Sequence, residues 1–224
     1  MSVLDLGLGL AISLAGLVGL AIGHRRQPGP VGAGGLRRRV AASGDAGSVM
    51  VEVALITPIF ILIVIGVVEF GLGFKDQLAV TSSVRAGARL ASAEPRISTF
   101  ATDAAKQVAT EGSALTMANV QALWIYKANA AGYPTGSSFS TCPAATCDSF
   151  TWSAGAGAFV QSGGTWTSTN QDACQGEQDS VGVYLAYTHP TVTQLPMFGS
   201  SWTLSSHTVM RLEPIPTLQS GGCK

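Results

Sequence analysis

The chain has 224 residues, 46% hydrophobic and only 12% charged, where about 25% charged is usual for a soluble domain, so the composition argues against a plain water-soluble globule. Thirteen Lys and Arg balance thirteen Asp and Glu; no net field draws the whole molecule to nucleic acid, and no direct nucleic-acid binding is expected. Charge location therefore carries the reading.

The first apolar run, Val3 to Ile22, has about the 20 residues needed to cross a bilayer. The only charge at its start is Asp5 and the arginines follow it, which disfavours a cleaved secretory signal. Either the run spans with its N-terminus outside, or translation starts later, near Val31, and the run is never made. Segment 23–47 holds Arg25, Arg26, Arg37, Arg38 and Arg39 against the single acid Asp45, with Gly and Pro between them, and reads as a solvated basic tether. Its GAGG lacks the Lys-Ser/Thr that a phosphate-binding loop requires.

From Ser48 the text changes to SVMVEVALITPIFILIVIGVVEFGLGF, in which Val53 to Val68 carries no charge. That is a membrane-spanning helix with Pro58 as a place for a kink. Because the arginines precede it, its N-terminus is expected in the cytoplasm and the C-terminal part outside. Beyond Phe74 the residues Leu78, Val80, Val84, Ala88 and Ala91 recur at helical spacing, with Lys75, Asp76, Gln77, Arg85 and Arg89 between them, so the helix should continue amphipathically until Glu94-Pro95 ends it. A second helix is expected from Thr99 to about Glu111. The pattern then alternates with period two at Val120 to Tyr126 and Val181 to Tyr187, and more weakly at Leu204 to Leu212, which predicts strands. Residues 128–179, rich in Gly, Ser, Thr and Cys, read as a stapled loop excursion.

All four cysteines, Cys142, Cys147, Cys174 and Cys223, lie in the C-terminal part. An even count outside the apolar runs suits disulfides in an oxidising compartment, with three pairings open. A zinc site is disfavoured, since C-x4-C stands alone with no histidine nearby; no metal and no cofactor are expected. His24, His189 and His207 are scattered and form no hydrolase or metalloprotease motif, so an enzyme is not expected. Trp124, Trp152, Trp166 and Trp202 with Tyr126, Tyr184 and Tyr187 are either core or an aromatic binding platform. Arg85 and Arg89, four apart, are either a solvated face or a face that pairs with acids of a partner.

One residue is out of place. Glu52 sits inside an apolar helix, where an acid near the centre costs about 2.5–3.5 kcal/mol on insertion scales. It stands five residues into the segment that follows Gly47, giving GDAG, SVMVE, VALITPIF. This G-x-x-x-x-E junction, the TP of ALITPIFILIVIGVVEFG, the VRAGARLAS segment and the terminal VMRLEP (Val209 to Pro214) together resemble the TadE-like minor pilins of the tight-adherence (Flp, type IVc) pilus system. The main resemblance covers Gly47 to about Ala93; residues 95–200 resemble nothing recognisable. Two departures are visible: Val53 stands where an aromatic often follows the glutamate, and the leader is long and holds an additional apolar run.

The resemblance implies cleavage by a membrane prepilin peptidase between Gly47 and Ser48, and a Glu52 that faces the new α-amino group of a neighbouring subunit. It also implies partners: other TadE- and TadF-like minor pilins, the major pilin, the prepilin peptidase, the membrane assembly platform and the lipid bilayer. The expected fold is α+β: a long N-terminal helix packed on a small antiparallel sheet with a disulfide-stapled loop. Its segments are a leader (1–47), a transmembrane helix (48–74), an amphipathic extension (75–94) and an extracytoplasmic domain (95–224). The implied role is structural, in pilus assembly and surface adhesion and in secretion or DNA uptake. The competing reading is a membrane-anchored extracellular binding module that never polymerises.

Overall fold

A computed structural model describes residues 45–193 and 199–215. The first apolar run, the tether up to residue 44 and Cys223 lie outside the described residues. The chain divides into two units, Met1–Met50 and Val51–Lys224. Of the first, the described part is the start of helix α1, which as a whole runs Asp45–Ala93, 49 residues or about 74 Å at 1.5 Å per residue. The second unit adds helix α2 (Phe100–Glu111) and strands β1 (Val120–Ala128), β2 (Cys147–Ser153), β3 (Ala158–Gly163), β4 (Ser180–Pro190) and β5 (Ser201–Arg211).

Helix α1 passes through Pro58 as one helix. Proline leaves the carbonyl of Ala54 without its usual donor, and one residue earlier the Thr57 hydroxyl turns inward, donating to the Val53 carbonyl at 2.6 Å. The helix ends at Ala93, ahead of Glu94-Pro95, as the restriction on a residue before proline requires. Arg96 then takes a positive φ of 61°, an uncommon conformation for a non-glycine residue. It is held there by Gln171: the Arg96 N–H donates to Oε1 at 2.6 Å and its guanidinium to the Gln171 carbonyl at 2.7 Å.

The sheet is fully antiparallel with strand order β3-β2-β1-β4-β5. Its inner face is built by alternation: Leu123 and Ile125 from β1, Phe150 from β2, Phe159 from β3, and Val181, Val183, Leu185 and Tyr187 from β4 are all buried. Against them α1 presents Val80, Val84, Ala88 and Ala91, and α2 presents Phe100, Ala101, Ala104, Ala105 and Val108, in one cluster. Each fully buried Val, Leu or Phe is worth roughly 1.5–3 kcal/mol. The helices come close because the contact residues are small. A Cβ on Gly87 would stand 3.3 Å from the Ala104 carbonyl oxygen and overlap Val108, so α1 and α2 touch nearly backbone to backbone there.

Two expectations are corrected by this packing. Residues 128–179 are not only a loop: they contain the β2–β3 hairpin, which pairs onto β1 through Leu123–Phe150 to Tyr126–Cys147. Leu78, expected on the buried face of α1, is 71% exposed, and Asp76, expected on the polar face, is buried. The buried stripe includes Glu69, Gly73, Asp76, Val80, Val84, Ala88 and Ala91, steps of three and four residues that carry Leu78 to the far side.

Candidate functional site

The predicted junction lies at the start of α1. Gly47 and Ser48 fall within its opening turns and Glu52 one turn later. Ser48 and Glu52 are exposed, as are the residues from Val49 to Val64, including Ile56, Ile59, Phe60 and Ile63. An apolar surface of that length is not left to water. Among the described residues this is the one helix long and apolar enough to cross a membrane, and it anchors the chain there. Among the described residues no ion pair or hydrogen bond reaches Glu52.

At the other end of the apolar stretch stands Glu69. It is fully buried, and its carboxylate accepts the backbone N–H of Val192 at 2.9 Å and of Thr193 at 3.4 Å. Two turns on, Asp76 Oδ2 meets His189 Nδ1 at 2.7 Å, while Lys75 lies 3.7 Å from Asp76 Oδ1. Between them, Gly73 leaves room for Trp202, whose ring would lie 2.9 Å from a Cβ there, and Trp202 packs 5.4 Å from Phe70 and 5.7 Å from His189. Further along, Gln77 donates to the Ser205 carbonyl at 3.4 Å. These contacts fasten the helix, just beyond its apolar stretch, to the end of the β4–β5 hairpin. The sequence held a signal that went unread: Glu69 and Asp76 stand seven apart, on the same stripe as Val80 and Val84.

On the outer face of the sheet Cys142 and Cys147 are joined in a disulfide with Cα atoms 5.3 Å apart, and Cys174 is also disulfide-bonded. Just before the bridge, residues 129–141 form a loop laid over Tyr126, whose hydroxyl donates to the Gly132 carbonyl at 2.9 Å. Asn129 organises that loop, accepting from Ala131 and Tyr133 N–H and donating to Gly136. Phe139 stacks on Tyr184 at 4.2 Å. Of the aromatics named from sequence, Trp166, Tyr126 and Tyr187 are core, while Trp124, Trp152, Trp202 and Tyr184 are half-buried. They lie on both faces of the sheet and do not converge into one platform.

A groove of about 500 Å³ opens between α2 and the segment after β3, with Phe100, Gln161 and Trp166 among its lining residues. It is also lined by Asp148, which is buried without a cation; burial pushes its carboxyl up to about 6. Asp148 Oδ1 accepts the Gln161 amide at 3.1 Å and the Trp166 N–H at 3.2 Å. Among the described residues no three or more His, Cys, Asp or Glu side chains converge to hold a metal ion.

No curated protein and no solved structure matches the chain. One family model does: that of TadE-like protein, over residues 47–89, which opens on the glycine of the predicted junction and follows α1 to Arg89. The family is one of structural pilus components rather than of enzymes. It is thus the long, membrane-anchoring helix, about a fifth of the chain, that is similar to TadE-like proteins.

Proposed function

We propose that the chain is a pilin-like minor subunit that takes part in assembling a tight-adherence (Flp, type IVc) pilus, and through it in surface adhesion, with secretion or DNA uptake as further uses of the same machine. The observation that carries this reading is the coincidence of the family match with α1: the match begins at Gly47, and the half-helix that follows is left uncovered by the described residues. A helix of that kind is a surface for lipid and then for neighbouring helices.

In this reading a prepilin peptidase cuts between Gly47 and Ser48. Glycine is a poor helix former, by roughly 1 kcal/mol relative to alanine, so the opening turn frays readily and offers an extended backbone to the enzyme. The arginines of the leader hold that end in the cytoplasm, and the disulfide-bearing domain stands outside, where such bonds persist. Glu52 then meets the new α-amino group of Ser48 on an adjacent subunit. A lone carboxylate among apolar helices is costly, and one paired with an ammonium is tolerated, so the pair sets the register between neighbours. The partners are other TadE- and TadF-like minor pilins, the major pilin and the assembly platform.

The test is the N-terminus of the chain recovered from membranes with and without the peptidase. A peptidase-dependent start at Ser48, with Glu52→Gln still cut but failing to assemble, is the expected result. An N-terminus upstream of Gly47 in both strains would instead establish an anchored binding module that is never processed.

A further inference from the structure

Beyond the apolar span α1 carries two stripes. One is buried on the sheet. The other, Phe70, Phe74, Leu78, Ser82, Arg85 and Arg89, is exposed throughout, and its steps of three and four residues keep it on one face of the helix. It is continuous with the exposed apolar surface of the span, so an occupant covering all of it must itself enter the bilayer. At its distal end Arg85 and Arg89 line a groove of about 550 Å³ with Leu78, Ala79, Ala86 and Glu111.

Among the described residues these arginines form no ion pair; the ion pairs there involve Lys75, Lys106, Lys127 and His189. Glu111, the one acid among the groove's described lining residues, accepts the Gln107 amide at 3.3 Å and is in no ion pair with either arginine. A second copy of α1 cannot supply the missing carboxylate: between Phe70 and Ala93 its only acid is Asp76, buried and bound to His189. Copies anchored in one bilayer would set arginine against arginine, a repulsion that grows as the interface excludes water.

We propose that this stripe docks the helix of a different membrane-anchored chain, one that rises from the same bilayer and bears a carboxylate roughly 15–20 Å beyond its apolar span, the level of Arg85 and Arg89 counted from Lys75. Apolar side chains along Phe70, Phe74 and Leu78 supply the contact; the two arginines select the partner and reject a second copy. The inference rests on the assembly reading above for the presence of such a partner but not on cleavage at Gly47, and the two fail separately, since the N-terminus is read independently of any contact.

The experiment places a photoreactive residue at Ser82 in the full chain in its native membrane and identifies the adduct by mass spectrometry. The expected adduct is to a different chain, at a peptide continuing from an apolar span and containing Asp or Glu. Arg85→Glu with Arg89→Glu lowers its yield by about tenfold, and changing that carboxylate to lysine in the partner restores it. An unchanged melting temperature shows that the double variant still folds. An adduct between two copies of this chain, no protein adduct at all, or an adduct to another chain that ignores the charge reversal overturns the proposal.

Discussion

Asp76 on the long helix and His189 at the end of β4 are joined by a 2.7 Å contact between Oδ2 and Nδ1, across 113 residues of sequence, with both residues under a tenth exposed. This contact ties the helix to the strand that centres the β4–β5 hairpin, and the Trp202 ring 5.7 Å from His189 reports on it. Removing one partner from this buried contact costs about 1–3 kcal/mol for the polar group left behind, with Lys75 still 3.7 Å from Asp76. His189→Ala is therefore expected to lower stability by about that much, and Asp76→Ala similarly. The double variant should cost less than the sum of the two. Unfolding of the detergent-solubilised chain, followed by tryptophan fluorescence, measures all three; additive losses would mean that the two groups act independently.

Glu69 holds the start of the β4–β5 connection through two backbone N–H groups. Hydrogen bonds to a charged acceptor contribute about 1.5–3 kcal/mol. Glu69→Ala is expected to speed amide exchange at Val192 and Thr193 by at least about tenfold while leaving β1 protected. Hydrogen exchange read by mass spectrometry over these peptides decides, and equal protection in both proteins would remove the fastening role.

The Cys142–Cys147 bridge spans only five residues, so its effect on the unfolded chain is about 2 kcal/mol by loop-closure entropy. Cys142→Ala with Cys147→Ala is expected to loosen the loop over Tyr126 and leave the inner core folded. With this bridge closed, Cys174 and Cys223 are the two cysteines that remain in the sequence, and non-reducing peptide mapping is expected to recover them linked to each other.

Asp148 gives a pH signature. Its carboxyl is raised from the usual 3.8 to about 6 by burial, so the folded chain binds a proton that the unfolded chain has already lost. The contribution of Asp148 to stability is therefore highest below pH 4. It declines as the pH rises from about 4 to about 6, and above that the loss is complete. At about 1.4 kcal/mol per pKa unit, the loss is on the order of 2–3 kcal/mol. Asp148→Asn keeps an acceptor for Gln161 and Trp166 and removes the charge. It is expected to melt higher than the natural chain at pH 7.5 and to equal it at pH 4; a variant less stable at both would show that the carboxylate is needed as such.

Much of the architecture was legible in the residues. The uncharged run from Val53, the proline after Glu94 and the period-two alternation at Val120 and Val181 each report a local preference that the fold keeps. Strands β2 and β3 were missed although Phe150, Thr151, Trp152, Phe159 and Val160 favour strands, because those runs are short and set among Gly, Ser and Asp; they pair because β1 offers β2 an edge and β2 in turn offers one to β3. Gly47 and Glu52, on which the proposed junction rests, stand out because each breaks a local rule, a glycine opening a helix and a charge within an apolar run.

By itself the sequence determined the long helix, its apolar half, the alternating strands and the TadE-like segment, since periodicity and charge placement act over a few turns and need no distant partner. Only the tertiary structure decided which face of α1 is covered. Leu78 is exposed while Glu69 and Asp76 are buried, because backbone N–H groups and an imidazole from β4 and the loop after it, more than 110 residues away in sequence, satisfy those carboxylates. Burial of a charge depends on a partner's geometry, and no local pattern records that.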